Sequence, residues 1–438
     1  MNQRSVILGL AGGVVTFLTV AYLCWSPDWF GQFHDDSIYL SSAKALAAGQ
    51  GYVMPSVPGE PSQTKYPVFY PWLLSLIWGV WPSFPQNLDA AFWISALAGA
   101  GFFVVCFFVL RQLGIASAPA LGLAAACGFH PTTLRLATSL LSDLPFMTLA
   151  VGSTVLAWAA MERLGDRRLS SLWLLAVAVA ALAVMTRSSG IAFVLALVCF
   201  AGWRKSYPLA FVALAAGLLV FGAGAAWSWR NQPVFSVDSV NLSGYEQTSL
   251  FYRSYLGFWL NCVPDWATFQ PMAKFNAGEL LKHPAAVSFL LPVVGFEGGF
   301  FLNLAAVTLS LSMAKGAFGL ARLNGLHPLH LALFFTIPVT IAWNFPLLDR
   351  FLLPFLPLFL AGAYHEIKWI LESVAEVFRS RKPVLDRVIS GVLAGGLVWL
   401  VLFAAMGYLW RVPRGLLNGH GQRASLALEK RQAYSWIV

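Results

Sequence analysis

Two adjacent carboxylates, Asp35 and Asp36, follow the first apolar segment of the chain, and a Lys-Tyr-Pro run begins at Lys65. Charged residues make up only 11% of this sequence, so such a grouping indicates acid–base chemistry on an anionic substrate. A carboxylate can take the proton of an attacking hydroxyl, and fixed cations can stabilise the charge that develops on a phosphate leaving group. A solvated turn is the alternative interpretation of the same residues.

The two carboxylates are expected to differ in role. Asp35 is the candidate general base. Asp36 admits three interpretations: it orients Asp35, it binds a divalent cation, or it is the N-cap of a helix over residues 37–48. Asp143 begins another predicted helix in a Ser-Asp-Leu-Pro context, where a helix cap and a role in acceptor or cation binding remain equally open.

Composition decides the class of protein. Hydrophobic residues make up 58% of the 438 residues and the mean hydropathy is +0.69, so the chain lacks the polar surface that a soluble globule of this size needs. The five cysteines are odd in number and scattered, which excludes a disulfide framework. The net charge of +9 is explained in part by basic loops facing anionic lipid, and it gives no reason to expect a nucleic-acid partner.

The charges divide the sequence into about eleven apolar segments, so we predict an all-α polytopic membrane protein. The predicted transmembrane domain covers residues 1–410 and is followed by a polar tail at 411–438. Two long loops, at 26–88 and 230–297, interrupt it; the second has the length and aromatic content of a mobile lid or of a packed cap. A basic amphipathic stretch at 365–387 precedes the last helix. The helices are predicted at residues 5–25, 90–110, 116–129, 143–161, 172–186, 190–203, 207–229, 298–313, 326–345, 351–364 and 388–410.

The short loops that carry clustered basic residues should face the cytoplasm. With that orientation, both long loops and the single charges at helix ends lie at the opposite, outer border of the membrane. A ring of arginine and lysine around two or three carboxylates at this border suits an anionic ligand, although any one of these arginines could instead snorkel to the interface. Several of the charges that this orientation brings to the outer border are expected to share one cavity. These charges are Asp35, Asp36, Lys44, Lys65, Arg135, Asp143, Arg187, Arg230 and Arg350.

Several segments together resemble a known enzyme family. Residues 35–44 read Asp-Asp-x-x-Tyr-x-x-x-Ala-Lys and residues 65–73 read Lys-Tyr-Pro-x-x-Tyr-x-Trp-Leu, and both are similar to the first outer loop of GT-C glycosyltransferases. The most similar group is that of the lipid A aminoarabinose transferases and protein O-mannosyltransferases. Further segments, which match the family in the same order along the chain, are at 142–145, 186–190 and 349–357.

This resemblance implies a GT-C-type fold with about seven core helices, additional variable ones, and two surface helices in the first outer loop. It implies transfer of a sugar from a polyprenyl-phosphate carrier to an acceptor, on the outer side of the cytoplasmic (inner) membrane. Asp35 matches the catalytic aspartate of the family, Asp36 stands where glutamate is usual, and Tyr66 replaces the first proline of the family's Lys-Pro-Pro segment.

The chemistry of such a transfer suggests further assignments. Lys65, Arg187 and Arg350 are the candidates for binding the donor phosphate. A single displacement would invert the anomeric centre. A divalent cation remains an open alternative, with Asp36 and Asp143 as its candidate ligands. The candidates on the substrate and acceptor side are Asp143, Tyr66, Tyr70 and His34.

The sequence leaves the sugar open, and the acceptor can be a lipid, a glycan or a protein hydroxyl. Two other functions compete with this prediction. A lipid or sugar transporter or flippase without transferase chemistry would show paired repeats and charges near the bilayer midplane, and neither is evident. A non-enzymatic assembly subunit would give no reason for the Asp35–Asp36 pair.

Overall fold

The structure is a computed structural model that describes residues 2–27, 30–31, 33–56, 59–162, 171–231, 266–289, 291, 299–343 and 349–379. For residues 34, 266–269, 349 and 377–379 it describes the backbone alone. Within these ranges the regular secondary structure is helical. An isolated antiparallel bridge joins Val53 to Ser62. The prediction of an all-α protein is confirmed.

In the described part of the chain, ten α-helices precede the second long loop. The first loop contains two of them, α2 and α3, which agrees with the two surface helices that the family resemblance implied. In chain order the helices are α1 (Gln3–Cys24), α2 (His34–Ala47), α3 (Phe69–Val80), α4 (Asn87–Gln112), α5 (Ser117–Gly128), α6 (Pro131–Ala137), α7 (Asp143–Glu162), α8 (Ser171–Thr186), α9 (Ile191–Trp203) and α10 (Tyr207–Arg230).

Five more helices follow in the described part of the chain. Two turns of 3₁₀ helix, Asp349–Phe351 and Leu353–Phe355, immediately precede the last of them. The helices are α11 (Trp266–Leu280), α12 (His283–Phe289), α13 (Gly299–Asn324), α14 (Pro328–Ile341) and α15 (Leu356–Arg379).

Five of these described helices, α1, α4, α7, α10 and α13, are long and apolar enough to cross a membrane. Helices α3, α5, α8, α9 and α14 are apolar but shorter. The chain is a multi-pass membrane protein. The predicted helix at 388–410, the tail at 411–438 and much of the loop at 230–297 lie outside the described residues.

Two helices begin with the same local arrangement. His130 before α6 and His327 before α14 each accept a hydrogen bond from the backbone N–H two residues ahead, at 3.2 and 3.1 Å between nitrogens. Pro131 and Pro328 follow directly, at a position where the missing N–H leaves no hydrogen bond unmade. The sequence analysis did not predict α6, since its seven residues are too few for a membrane span.

The predicted division at the end of the chain is wrong. Residues 351–364 and the amphipathic stretch that follows were expected to be separate elements, but α15 runs without a break from Leu356 to Arg379. Pro354 and Pro357 delay its start, because the chain makes 3₁₀ turns there. Likewise α13 continues eleven residues beyond its predicted end at 313 and stops only before Gly325, which has a positive φ of 92°.

Helices α13 and α15 cross with their backbones in contact. A Cβ added at Gly316 would collide with the carbonyl oxygen of Gly362, and one added at Gly362 would collide with that of Met313. Such an approach is open only to glycine, because any side chain would separate the two helices.

A buried ion pair joins the helices of the second long loop to α13. Lys282, between α11 and α12, places its Nζ 2.8 Å from Oε1 of Glu279 and donates to Oδ1 of Asn303 at 3.1 Å. Both charged side chains are at most 2% exposed. A lysine buried in this way requires such partners, so the pair fixes the turn between α11 and α12.

Candidate functional site

The first turn of α2 carries both carboxylates, where the helix dipole favours negative charge. The helix begins at His34, three residues before the predicted start, so the interpretation of Asp36 as its N-cap, one of the three left open, is wrong. Asp36 is the third helical residue, and its Oδ2 accepts hydrogen bonds from the backbone of Gly31 (3.0 Å) and Phe33 (3.4 Å). Its carboxyl therefore satisfies amides that precede the helix, as the third residue of a capping box does.

Asp36 is almost completely buried, at 1% exposure. Burial raises the pKa of Asp36 to about 8, although hydrogen bonds from the backbone of Gly31, Phe33 and Ser37 oppose the rise and the charge of Asp35 adds to it. At neutral pH this carboxyl is therefore mostly protonated.

Asp35 faces a different environment. Tyr66 donates its hydroxyl to Oδ1 at 2.6 Å, and Nη1 of Arg350 lies 3.9 Å from Oδ2. Burial would raise the pKa of Asp35, but the Tyr66 hydrogen bond and the charges of Lys65, Arg350 and Arg187 outweigh it and lower that pKa below its ordinary value. Asp35 is therefore ionised at neutral pH.

Asp143 holds the two arginines together. It is the first residue of α7, and 4% of its side chain is exposed. Its Oδ1 forms an ion pair with Nη1 of Arg187 at 2.8 Å. Nη1 of Arg350 lies 3.8 Å from its other oxygen. Arg350 thus lies between the carboxylates of Asp143 and Asp35, and the cluster joins α2, α7, the end of α8 and the first 3₁₀ turn.

Lys65 completes the cluster from the segment before α3, with its Nζ 5.0 Å from the centre of the Tyr66 ring. Burial lowers the pKa of Lys65 to about 8; the charge of Asp35 acts against this shift and that of Arg350 adds to it. An anion arriving beside Lys65 would raise this pKa again, so the site is suited to gain a proton as it binds a phosphate.

Most of the charged cluster lines a cavity of about 850 Å³, which Asp35 adjoins. Its polar end is lined by Lys65, Tyr66, Asp143, Arg187 and Arg350. Most of the remaining wall is apolar and comes from the end of α8, the second half of α10, α14 and the 3₁₀ turns. A molecule that fills this cavity would combine an anionic group with an extended apolar part.

The structure separates the predicted site residues into groups. Asp35, Lys65, Tyr66, Asp143, Arg187 and Arg350 come together, and Asp36 adjoins them but faces backbone amides. Tyr70 is fully buried against Tyr39, with ring centres 5.1 Å apart, and does not line the cavity. The backbone of His34 begins α2, and its side chain lies outside what the structure describes.

The sequence analysis assigned no role to Tyr39, which does line the cavity and shares a hydrogen bond of 3.0 Å with the hydroxyl of Ser142. Its position four residues after Asp35 was a usable signal, because residues i and i+4 share one face of a helix.

The two candidate cation ligands are not brought together. The carboxyl of Asp36 faces the amides before α2, and that of Asp143 faces two guanidinium groups. Within the described ranges, no group of three or more histidine, cysteine, aspartate or glutamate side chains is arranged to hold a metal ion.

Solved structures of two membrane proteins are similar to this one. The oligosaccharyltransferase of Archaeoglobus fulgidus in its apo form matches with a TM-score of 0.54 and 14% sequence identity, over 95% of this chain and 56% of that chain. The same protein tethered to an acceptor peptide with an NVT sequon gives a TM-score of 0.53 at 14% identity, over 93% and 55% of the two chains. ArnT from Cupriavidus metallidurans bound to undecaprenyl phosphate gives 0.47 at 15% identity, over 96% and 75%.

The two matches to the oligosaccharyltransferase show that this chain shares the fold of that protein, which agrees with the GT-C-type fold that the sequence resemblance implied. The chain spans about half the length of the oligosaccharyltransferase that it matches. No protein-family profile matches the sequence. No curated protein matches it either.

Proposed function

We propose that this protein is a glycosyltransferase that moves a sugar from a polyprenyl-phosphate donor to a hydroxyl of a lipid, glycan or protein. The observation that carries the proposal is an ionised Asp35 that contacts Tyr66 and Arg350, two residues that line a largely apolar cavity together with Lys65 and Arg187. The fold that it shares with an oligosaccharyltransferase supports the same reaction class. Together with the clustering of basic residues in short loops, the proposal places the reaction on the outer face of the cytoplasmic membrane.

Asp35 is the base in this proposal. An acceptor hydroxyl attacks an anomeric carbon effectively only if its proton is taken as the new bond forms, a contribution of about 10² to 10⁴ in rate. The hydroxyl of Tyr66, 2.6 Å from Oδ1, fixes the carboxylate and leaves its second oxygen for the acceptor. A single displacement with this base inverts the anomeric centre.

Lys65, Arg187 and Arg350 bind the phosphate of the donor and stabilise the charge that develops as the sugar leaves. Their three positive charges exceed the two negative charges of Asp35 and Asp143 by one, so the cluster retains attraction for an anion. The apolar wall accommodates the prenyl chain.

Two carboxyl groups have supporting roles in the proposal. Asp143 holds Arg187 and Arg350 in place, which replaces the expected contact with an acceptor. Asp36, neutral at pH 7, organises the turn that begins α2. Tyr70 supports the core behind Tyr39.

Mass spectrometry of glycolipids and glycoproteins from the cell envelope tests this function. Cells without the gene should lack one sugar in one class of molecule, and the wild-type gene should restore it. Asp35→Asn should fail to restore it while the purified protein keeps its melting temperature. Asp89→Asn is the matched control, because Asp89 is an exposed carboxylate in the first turn of α4 that accepts a hydrogen bond from Trp25 and does not line the cavity. Unchanged envelope molecules in every class would contradict the proposal.

A further inference from the structure

The segment that carries Lys65 and Tyr66 has no regular secondary structure. It extends from residue 63 to residue 67, between the Val53–Ser62 bridge and the start of α3. Its N–H groups make two local hydrogen bonds, from Gln63 to the carbonyl of Tyr52 and from Lys65 to Oε1 of Gln63, both at 2.9 Å. Among the described residues, its carbonyl oxygens have no backbone partners from a helix or a sheet, so the positions of both site residues depend on other contacts.

Side chains from elsewhere bind its carbonyl oxygens one after another. Trp227 donates its Nε1 to the carbonyl of Gln63 at 3.0 Å, and Ser228 donates its hydroxyl to that of Thr64 at 3.1 Å. The hydroxyl of Tyr52 donates to the carbonyl of Tyr66 at 2.9 Å.

Trp227 and Ser228 are neighbours near the end of α10. This helix packs on α8 and α9, and its buried residues, Leu209, Ala213 and Gly217, all lie in its first half. Its second half lines the cavity, and the two hydrogen bonds attach it to the segment immediately before Lys65. The end of α10 and the site residues therefore form one continuous part of the cavity wall.

We propose that Trp227 and Ser228 are positioning residues, which fix the backbone from which Lys65 and Tyr66 reach Asp35. The inference concerns the geometry of the site, and it rests on the proposed function only for its effect on catalysis. Because the same two residues line the cavity, a ligand that fills the cavity contacts the anchor of the segment as well as the site itself.

The direct test measures the ionisation of Lys65 in the purified full-length protein. Acetylation by N-hydroxysuccinimidyl acetate, quantified by peptide mass spectrometry across pH 6 to 10, reports each lysine separately. In the wild type the labelling of Lys65 should have its midpoint near its lowered pKa of about 8. Asp35 and Arg350 are the charged groups that act on it, and burial is the largest effect.

In the double variant Trp227→Phe/Ser228→Ala, release of the segment should expose Lys65 and raise this midpoint by at least about half a pH unit. Trp229→Phe is the matched control, since Trp229 is 66% exposed on the same helix and does not line the cavity. The midpoint of Lys65 labelling in this control should equal that of the wild type, and the extent of Lys315 labelling should be the same in every variant. An unchanged Lys65 midpoint in the double variant would overturn the inference.

If the double variant does not fold, the single variants Trp227→Phe and Ser228→Ala supply the same comparison, and Ser228→Thr should keep the wild-type midpoint.

Transferase activity is the second arm of the test. The anchor variants should lower kcat by up to on the order of tenfold per lost hydrogen bond, with a smaller change in KM. The acidic limb of their pH–rate profile should move to higher pH. Tyr66 and Lys65 would then lower the pKa of Asp35 less, while Arg350, Arg187 and Asp36 stay in place.

The labelling test and the activity test can be contradicted independently of each other. A wild-type protein without transferase activity would contradict the proposed function, and the labelling of Lys65 would still decide whether Trp227 and Ser228 position the segment.

Discussion

Asp35 and Asp36 are neighbours in the first turn of α2, yet their carboxyl groups belong to two different regions of the molecule. Asp35 faces Tyr66 and lies in the field of three cations that line the cavity, and it is ionised. Asp36 faces backbone amides in the protein interior and is largely neutral at pH 7. Consecutive residues point in different directions on a helix, so adjacency in sequence does not make a catalytic pair. The surrounding donors decide which carboxyl can act as a base.

Replacing each carboxyl in turn by its amide gives the largest test of this difference. Asp35→Asn should lower transfer by about 10² to 10⁴, because it removes the base. Asp36→Asn should retain most activity, since an amide can replace a protonated carboxyl of the same shape. Both rates are measured with the same membrane preparation and normalised to protein content. Equal losses in the two variants would show that the carboxyls act as a pair.

The charge of Lys65 should account for the next largest effect. Lys65→Met should lower kcat/KM by on the order of 10², the usual cost of one group that stabilises developing charge. In the wild type, activity should decline as pH rises through about 8, where Lys65 loses its proton. Lys65→Arg should move this alkaline limb to higher pH, as read from pH–rate profiles. An alkaline limb that stays in place in Lys65→Arg would assign it to another group.

Removing the hydroxyl of Tyr66 should affect Asp35 but not Asp36. Tyr66→Phe removes the hydrogen bond that helps to lower the pKa of Asp35, so the acidic limb of the pH–rate profile should move to higher pH. Tyr70→Phe is the control, because that ring is buried and does not line the cavity. A matching shift in Tyr70→Phe would show that the effect is not specific to the bond with Asp35.

The smallest expected effect is on the pH dependence of protein stability, to which the buried carboxyl of Asp36 contributes. The pKa of Asp36 in the folded protein, about 8, lies above its ordinary value of 3.8. Between these values the unfolded chain releases a proton that the folded chain keeps, so the contribution of Asp36 to stability falls as pH rises. Asp36→Asn has no such proton, and its melting temperature relative to the wild type should increase from pH 5 to pH 8. A constant difference across this range would mean that Asp36 is ionised in the fold.

Much of the architecture could be predicted because apolar segments and single charges mark the ends of membrane helices. The predicted and observed bounds of α1, α4, α7, α8, α9 and α10 agree within three residues. The error at α15 has a physical cause: the hydropathy falls after residue 364, but a helix continues through a change of solvent as long as no residue breaks its backbone. Hydropathy therefore locates the border of an apolar layer rather than the end of a helix.

The cluster of site residues could be predicted in part for the same reason. Lone charges at the border of an apolar layer need partners, and five of the nine charges predicted at the outer border, spread from residue 35 to residue 350, form one cluster that lines or adjoins a cavity. The hydrogen bonds from Trp227 and Ser228 could not be predicted, because backbone carbonyl oxygens carry no sequence signal. The burial of Tyr70 could not be predicted, because its spacing in the motif does not show which side of α3 faces the core.

The glycine crossing of α13 and α15 has a consequence at the start of α15. That helix continues directly from the turns that carry Arg350, so the position of the Arg350 guanidinium relative to Asp35 depends on how closely two backbones approach at Gly316 and Gly362. A single methyl group at Gly316 would push the two helices apart. Such a change touches no substrate and alters no charge, yet it would shift Arg350, twelve residues before Gly362, and with it the electrostatics of the site.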